Sequence, residues 1–367
     1  WSRVSGLVSS GSVPCIELFG HYLHLDDGHH VEDGSYPSDP EGWKVTRDHL
    51  AGRIGQGKDY RGIFLWIPGS LEGIAPAFRR AAARKRPTKA AGLYPYTAFW
   101  CNGFVEKSLE VLTTVFDGCH RRIGSLGPEL DLAIEREVRG VGRAFWRDIE
   151  QSARRAVFGA PDLPEDGEGI SRGSGPMAEI FDDLLAMAES GVPVHIVCEG
   201  AGVLVLHELL RRNARSLKPR SLDEIAGLLA SLDLIHPAID LWRASVRVLP
   251  LVQAMNGGAV RARIHLPGRR LEQRLTFCIY GAPLLHLISR SFEDRLDPGV
   301  PLQLGVPLRH DLRRPRRNHP SHPPRLFLGM ADAMTRLVDE DYPAEIIAAF
   351  RTLLPPDEGR MAHGPIN

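Results

Sequence analysis

The sequence predicts an α/β fold, a mostly parallel central sheet flanked by helices. Three observations carry that reading. Short strand-like runs recur at residues 62–66, 194–197 and 232–236, the second of them β-branched at Val194, Ile196 and Val197. Amphipathic stretches with apolar residues at three- and four-residue steps lie between them, and the connections are short. Repeated strand, helix, strand with short connections argues a mostly parallel sheet covered on both faces.

Bulk properties set the frame. At 367 residues the chain is long enough to bury a sizeable core. Lys+Arg and Asp+Glu both number 45, so no global charge draws the protein to nucleic acid or to an anionic membrane. The five cysteines, Cys15, Cys101, Cys119, Cys198 and Cys278, include no C-x-x-C pair, which argues against a zinc knuckle or a disulfide framework. No apolar run reaches the length of a membrane span, and a reducing, cytoplasmic compartment is expected.

Taken in order, residues 1–60 are rich in Gly, His, Asp and Ser and are expected as an irregular extension. Alternation at 15–25 suggests an edge hairpin within it. The main domain is expected over 61–355, with a tail over 356–367. Residues 62–66 read as a buried strand running into Ile67, Pro68, Gly69 and Ser70, with a helix over 71–85. A strand at 94–100 follows, then a helical insertion over about 104–158. Within it Leu130, Ile134, Val138, Val141, Phe145 and Ile149 form one stripe of a helix starting near Pro128. Residues 159–176, mostly Gly, Pro, Asp and Glu, read as an exposed loop. Beyond them are expected a helix at 176–190, the strand at 194–197 and its helix, the strand at 232–236 and a helix at 241–255. Then come a strand at 274–280, a helix at 282–294 and a last helix from about 330 to 353, interrupted near Pro343.

The most informative segment is 194–202. Val194, Ile196 and Val197 lead into Cys198, Glu199, Gly200, Ala201 and Gly202, and a helix with Val203, Leu204, Leu206, Leu209 and Leu210 ends in Arg211 and Arg212. This is the strand-turn-helix context of the G-x-S-x-G nucleophile elbow, in which the serine hydroxyl is lifted above the sheet. Here Gly200 stands at the nucleophile position. The plainer reading is a glycine turn that lets strand and helix pack closely.

In sequence order, the pieces at 64–70, 92–103, Trp146 with Ala153-Arg154-Arg155, the elbow, 280–293 and Ser321-His322 resemble the α/β-hydrolase fold. More narrowly they resemble bacterial lipase- or esterase-like serine hydrolases, and cover roughly residues 62–353. The resemblance implies an oxyanion turn at Ile67, Pro68, Gly69 and Ser70, a nucleophile position at Gly200 with Cys198, Glu199 and Ala201 around it, and a base at His322. Each station departs from the pattern. Pro68 removes one backbone donor, Gly200 has no hydroxyl, the acidic loop after Tyr280 is missing, and Pro323-Pro324 follows His322 where glycines are expected. Asp240 has two readings, the acid that orients a base and the N-cap of a helix beginning at Leu241. His319 competes with His322, and both also read as exposed loop histidines.

Two other clusters stand out. His24, Asp26, Asp27, His29 and His30 are dense but match no ligand spacing, so a solvated turn is expected and no metal. The basic run from Arg309 to Arg317 reads as a solvated or partner-facing loop, since no aromatics interleave it for nucleic-acid binding. The functional expectation is a catalytically degenerate hydrolase-like protein acting as a binding or scaffold subunit, without cofactor. A protein partner or homo-oligomer is expected, with room for a small acyl or apolar ligand over the elbow. The alternative is a serine hydrolase in which engineering replaced the nucleophile serine by Gly200.

Overall fold

The computed structural model describes residues 13–51, 53–54, 60–69, 73–100, 105–159, 174–267, 276–293, 303–305 and 335–338. The strands are β1 (Tyr22–Asp26), β2 (His29–His30), β3 (Gly62–Ile67), β4 (Leu93–Phe99), β5 (Val194–Glu199), β6 (Leu229–Ile235), β7 (Ala262–Pro267), β8 (Thr276–Phe277), β9 (Tyr280–Pro283) and β10 (Thr335–Val338). Eight of them form one sheet in the order β10-β7-β6-β5-β3-β4-β1-β2. All its pairings are parallel except the β1–β2 hairpin.

The helices are α1 (Pro40–Ala51), α2 (Ile74–Ala90), α3 (Val105–Ile123), α4 (Pro128–Glu137), α5 (Arg139–Phe158), α6 (Pro176–Glu189), α7 (Gly202–Asn213), α8 (Leu222–Leu228), α9 (Leu241–Arg243), α10 (Leu249–Met255) and α11 (Leu284–Leu287). Their ends follow local chemistry. Pro176 opens α6, where a missing N–H costs nothing. Ser221 and Glu224 form a reciprocal capping box on α8. A π-helical stretch, Ala244–Val248, joins α9 to α10.

Chain order fixes where a ligand site belongs. From β3 the chain passes through α2 to β4 on one side, then returns through α3 to α6 and places β5 on the other side of β3. In open α/β sheets such a reversal leaves a crevice at the carboxyl ends of the strands. Gly200 follows the last residue of β5 and lies at that edge.

Strand alternation gives the sheet two different faces. Ile63, Leu65, Ile67, Ile196, Cys198, Leu232, Leu234 and Ile264 belong to the main core with α5, α6 and α7. The opposite face carries a small apolar cluster of Phe64, Trp66, Leu93, Val197 and Ile235. On the same side lie the register partners His195 and Ser231, and Asp233 and Arg263. Asp233 is fully buried and accepts two hydrogen bonds from Arg263, at 2.8 and 3.1 Å, while His265 Nε2 lies 2.7 Å from its Oδ1. A buried carboxylate needs such partners to be tolerable.

Several elements differ from expectation. The strand expected at 274–280 is not in the main sheet: β8 and β9 form a separate antiparallel pair. Its place beside β6 is taken by β7, and beyond it lies β10, where the sequence suggests a helix. Within the extension expected at 1–60, β1 pairs in parallel with β4, and α1 buries Trp43 and Leu50. Trp43 Nε1 also donates to Asp183 of α6 at 2.8 Å. The stripe from Leu130 to Ile149 breaks at Val138 into α4 and α5, and of its members only Val141 is exposed. No helix of the described residues is long and apolar enough to cross a membrane.

Candidate functional site

β3 and β5 run side by side, with Ile67 opposite Cys198, and both end at the same edge. Past those ends, Pro68-Gly69 and Gly200-Ala201 meet. A Cβ built on Gly200 would lie 3.6 Å from the Gly69 Cα, and one built on Gly69 would lie 3.3 Å from the Glu199 carbonyl oxygen and 3.7 Å from the Ala201 nitrogen. The two turns, Pro68-Gly69 and Gly200-Ala201, are therefore neighbours. Trp100 holds the turn from its other side, donating from Nε1 to the Pro68 carbonyl at 2.9 Å.

Gly200 has φ +51°, in the left-handed region that side-chain-bearing residues enter only at a cost. The Gly200 N–H donates to the Ile235 carbonyl at 2.8 Å, and its carbonyl accepts from the Ala238 N–H at 2.9 Å. These bonds tie the turn to β6 and to the loop that follows. Gly202 serves another end: a Cβ there would sit 2.3 Å from the Ile67 carbonyl oxygen. Only glycine lets α7 start this close to β3.

The residues beside the apex are committed elsewhere. Cys198 is fully buried on the core face, and burial pushes its thiol well above the ordinary range. Glu199 points to the opposite face, accepting from Trp66 Nε1 at 3.1 Å and from Arg80 at 2.8 Å. The Arg84 guanidinium lies 3.8 Å from the Trp66 ring centroid. Ala201 is buried.

Asp240 is the N-cap of α9: its Oδ1 accepts from the Arg243 N–H at 2.9 Å, and its Oδ2 pairs with the Arg243 side chain at 3.2 Å. Of its two sequence readings, the capping role is the one its contacts support. Arg243 also donates to Glu150 of α5 from both terminal guanidinium nitrogens. Ser70, His319, Ser321, His322 and the run from Arg309 to Arg317 lie outside the described residues.

Three residues of the amino-terminal cluster, His24, Asp27 and His30, have partners for their side chains. His24 Nδ1 lies 2.8 Å from the Tyr36 carbonyl, His30 Nδ1 lies 3.4 Å from Ser38 Oγ, and Asp27 accepts from Ser152 at 3.0 Å and from Arg155. Among the described residues no group of three His, Cys, Asp or Glu could hold a metal ion.

One site residue escapes sequence reasoning altogether. His236, directly after β6, has φ +45°, and its N–H donates to the His265 carbonyl at 2.8 Å. Burial lowers its pKa to about 4; the Glu199 carboxylate opposes that shift and His265 adds to it. Its ring is thus neutral at physiological pH, at the edge where Gly200 sits. The only advance signal is the His236-Pro237 dipeptide, which marks a turn and not a role.

Beside the contact of Gly69 with Gly200 lie the loop that begins with His236 and, on the opposite face of the sheet, the Glu199 carboxylate held by Trp66 and Arg80. The arrangement offers no activated hydroxyl or thiol among the described residues at the apex. Comparison of the chain with protein-family models, with curated proteins and with solved structures finds no match in any of the three.

Proposed function

We propose that this protein is a catalytically degenerate, α/β-hydrolase-like binding or scaffold subunit that takes a small acyl or apolar ligand over the elbow, in concert with a protein partner or a second copy of itself. One observation carries the proposal. The position that would present a nucleophile is occupied by Gly200 in a left-handed turn, with Gly69 facing it and the nearest thiol, that of Cys198, sealed in the core. Removing a triad serine lowers turnover by about 10⁶, so a turn of this kind without its hydroxyl retains ligand geometry but not chemistry.

A second reading has its own support. The space at Gly200 accepts a Cβ with only ordinary contact to Gly69, as it would if a serine had been replaced there in a working hydrolase. The experiment that separates the two is Gly200→Ser. In the degenerate reading, the restored serine stays inert towards p-nitrophenyl esters and towards a fluorophosphonate probe. Recovered turnover that is lost again in the additional variant His322→Ala would establish the hydrolase instead.

A further inference from the structure

A different surface lies beside the amino end of β1. A 3₁₀ turn, Cys15–Leu18, precedes β1, and it leaves Ile16 67 % and Phe19 76 % exposed. Thr46 of α1 donates to the Gly20 carbonyl at 3.2 Å, which packs α1 against the same turn. Side chains exposed to this degree stand out from the surface and do not line a groove. A rigid protein partner would need matching pockets for them, whereas a fluid apolar phase needs none.

Basic residues of the carboxyl half of α2 border this turn. Lys85 Nζ donates to the Glu17 carbonyl, and Arg86 beside it is exposed. Lys89, one helical turn on, lies 5.8 Å from the Tyr60 ring and 6.0 Å from the Tyr94 ring. Among the described residues no carboxylate is within ion-pair distance of Lys85, Arg86 or Lys89, whereas Lys44, Arg47, Arg155, Arg212, Arg220, Arg243 and Arg263 all have one. Partial burial holds both lysines below the usual ammonium value, and for Lys85 the charges of Lys89 and Arg86 add to this while Glu17 opposes it. In a chain of zero formal charge, this is a local excess of positive charge beside protruding apolar groups.

We propose that Ile16 and Phe19, bordered by Lys85, Arg86 and Lys89, form a docking surface for an anionic lipid bilayer. The apolar side chains enter the headgroup–acyl boundary and the cations meet the lipid phosphates. The turn at Cys15–Leu18 lies just before the amino end of β1, whose Tyr22 pairs with Thr97 of β4, three strands away from the β5 turn that carries Gly200.

The test is flotation of the full chain with phosphatidylcholine vesicles, with and without phosphatidylglycerol, at increasing salt. The protein should float only with the anionic vesicles and be released as salt rises. Lys85→Gln and Lys89→Gln should each weaken binding about fivefold, the Boltzmann factor for one lysine near such a surface. Ile16→Ser combined with Phe19→Ser should abolish flotation while leaving the circular dichroism melt unchanged, because both side chains are exposed. Failure of the folded wild-type chain to float with anionic vesicles would overturn the proposal, as would undiminished flotation of the Ile16→Ser/Phe19→Ser variant. Binding to duplex DNA that depends on Lys85 and Lys89 but ignores Phe19→Ser, without flotation, would reassign the patch to nucleic acid.

Discussion

Gly69 and Gly200 face each other across the carboxyl edge of the sheet, so close that a Cβ on Gly200 would rest 3.6 Å from the Gly69 Cα. Two turns from different strands thereby share one small volume. Neither Gly69 nor Gly200 brings a side chain into it.

Gly200→Ser should fold, at a cost of about 1–2 kcal/mol in a urea titration. The penalty comes from the left-handed backbone at φ +51° and not from steric clash. A cost well above that range would mean that the turn is packed more tightly than its neighbours suggest.

Gly202→Ala should be worse than Gly200→Ser, although the added group is smaller. Its Cβ would meet the Ile67 carbonyl at 2.3 Å, a backbone atom that cannot swing aside. A loss of about 3 kcal/mol is expected from forced separation of α7 and β3. The check is the ranking of the two variants by denaturant midpoint.

Asp233→Ala removes a fully buried carboxylate that pairs with Arg263 and His265. The stranded Arg263 guanidinium should cost about 3–5 kcal/mol. Asp240→Ala, by contrast, should cost about 1 kcal/mol, the loss of an N-cap. If Asp240→Ala instead abolishes a measured ligand affinity while stability holds, the residue acts beyond its cap.

His21, His195, His207 and His236 all have folded pKa values lowered to about 4, chiefly by burial. The unfolded chain, with ordinary values near 6.5, then binds protons before the folded one does. Stability from these groups is complete above about pH 6.5 and should fall as pH drops from there through the folded values. His236→Asn, which keeps a residue tolerant of positive φ, should flatten that slope in urea titrations between pH 7 and pH 4; an unchanged slope would remove His236 from the account.

Local sequence determined more than the fold class. The β-branched run, the three small or polar residues and the apolar helix around Gly200 located the strand, the turn and α7, because all three are set by contacts within a few residues. The proximity of Ile67, Pro68 and Gly69 to that turn comes from the pairing of β3 with β5, which no local pattern fixes. Tertiary structure decided the rest. Residues 262–267 and 335–338 became sheet strands because β6 and β7 offered open edges, not because their own patterns demanded it. Residues 276–283, with a strand-like composition, paired only with each other. Asp240 had two readings in the sequence, and its distance to the Arg243 N–H favours capping. His236 had no reading, since a positive φ and burial beside Glu199 come from the packing of three strands and leave no mark on the residue itself.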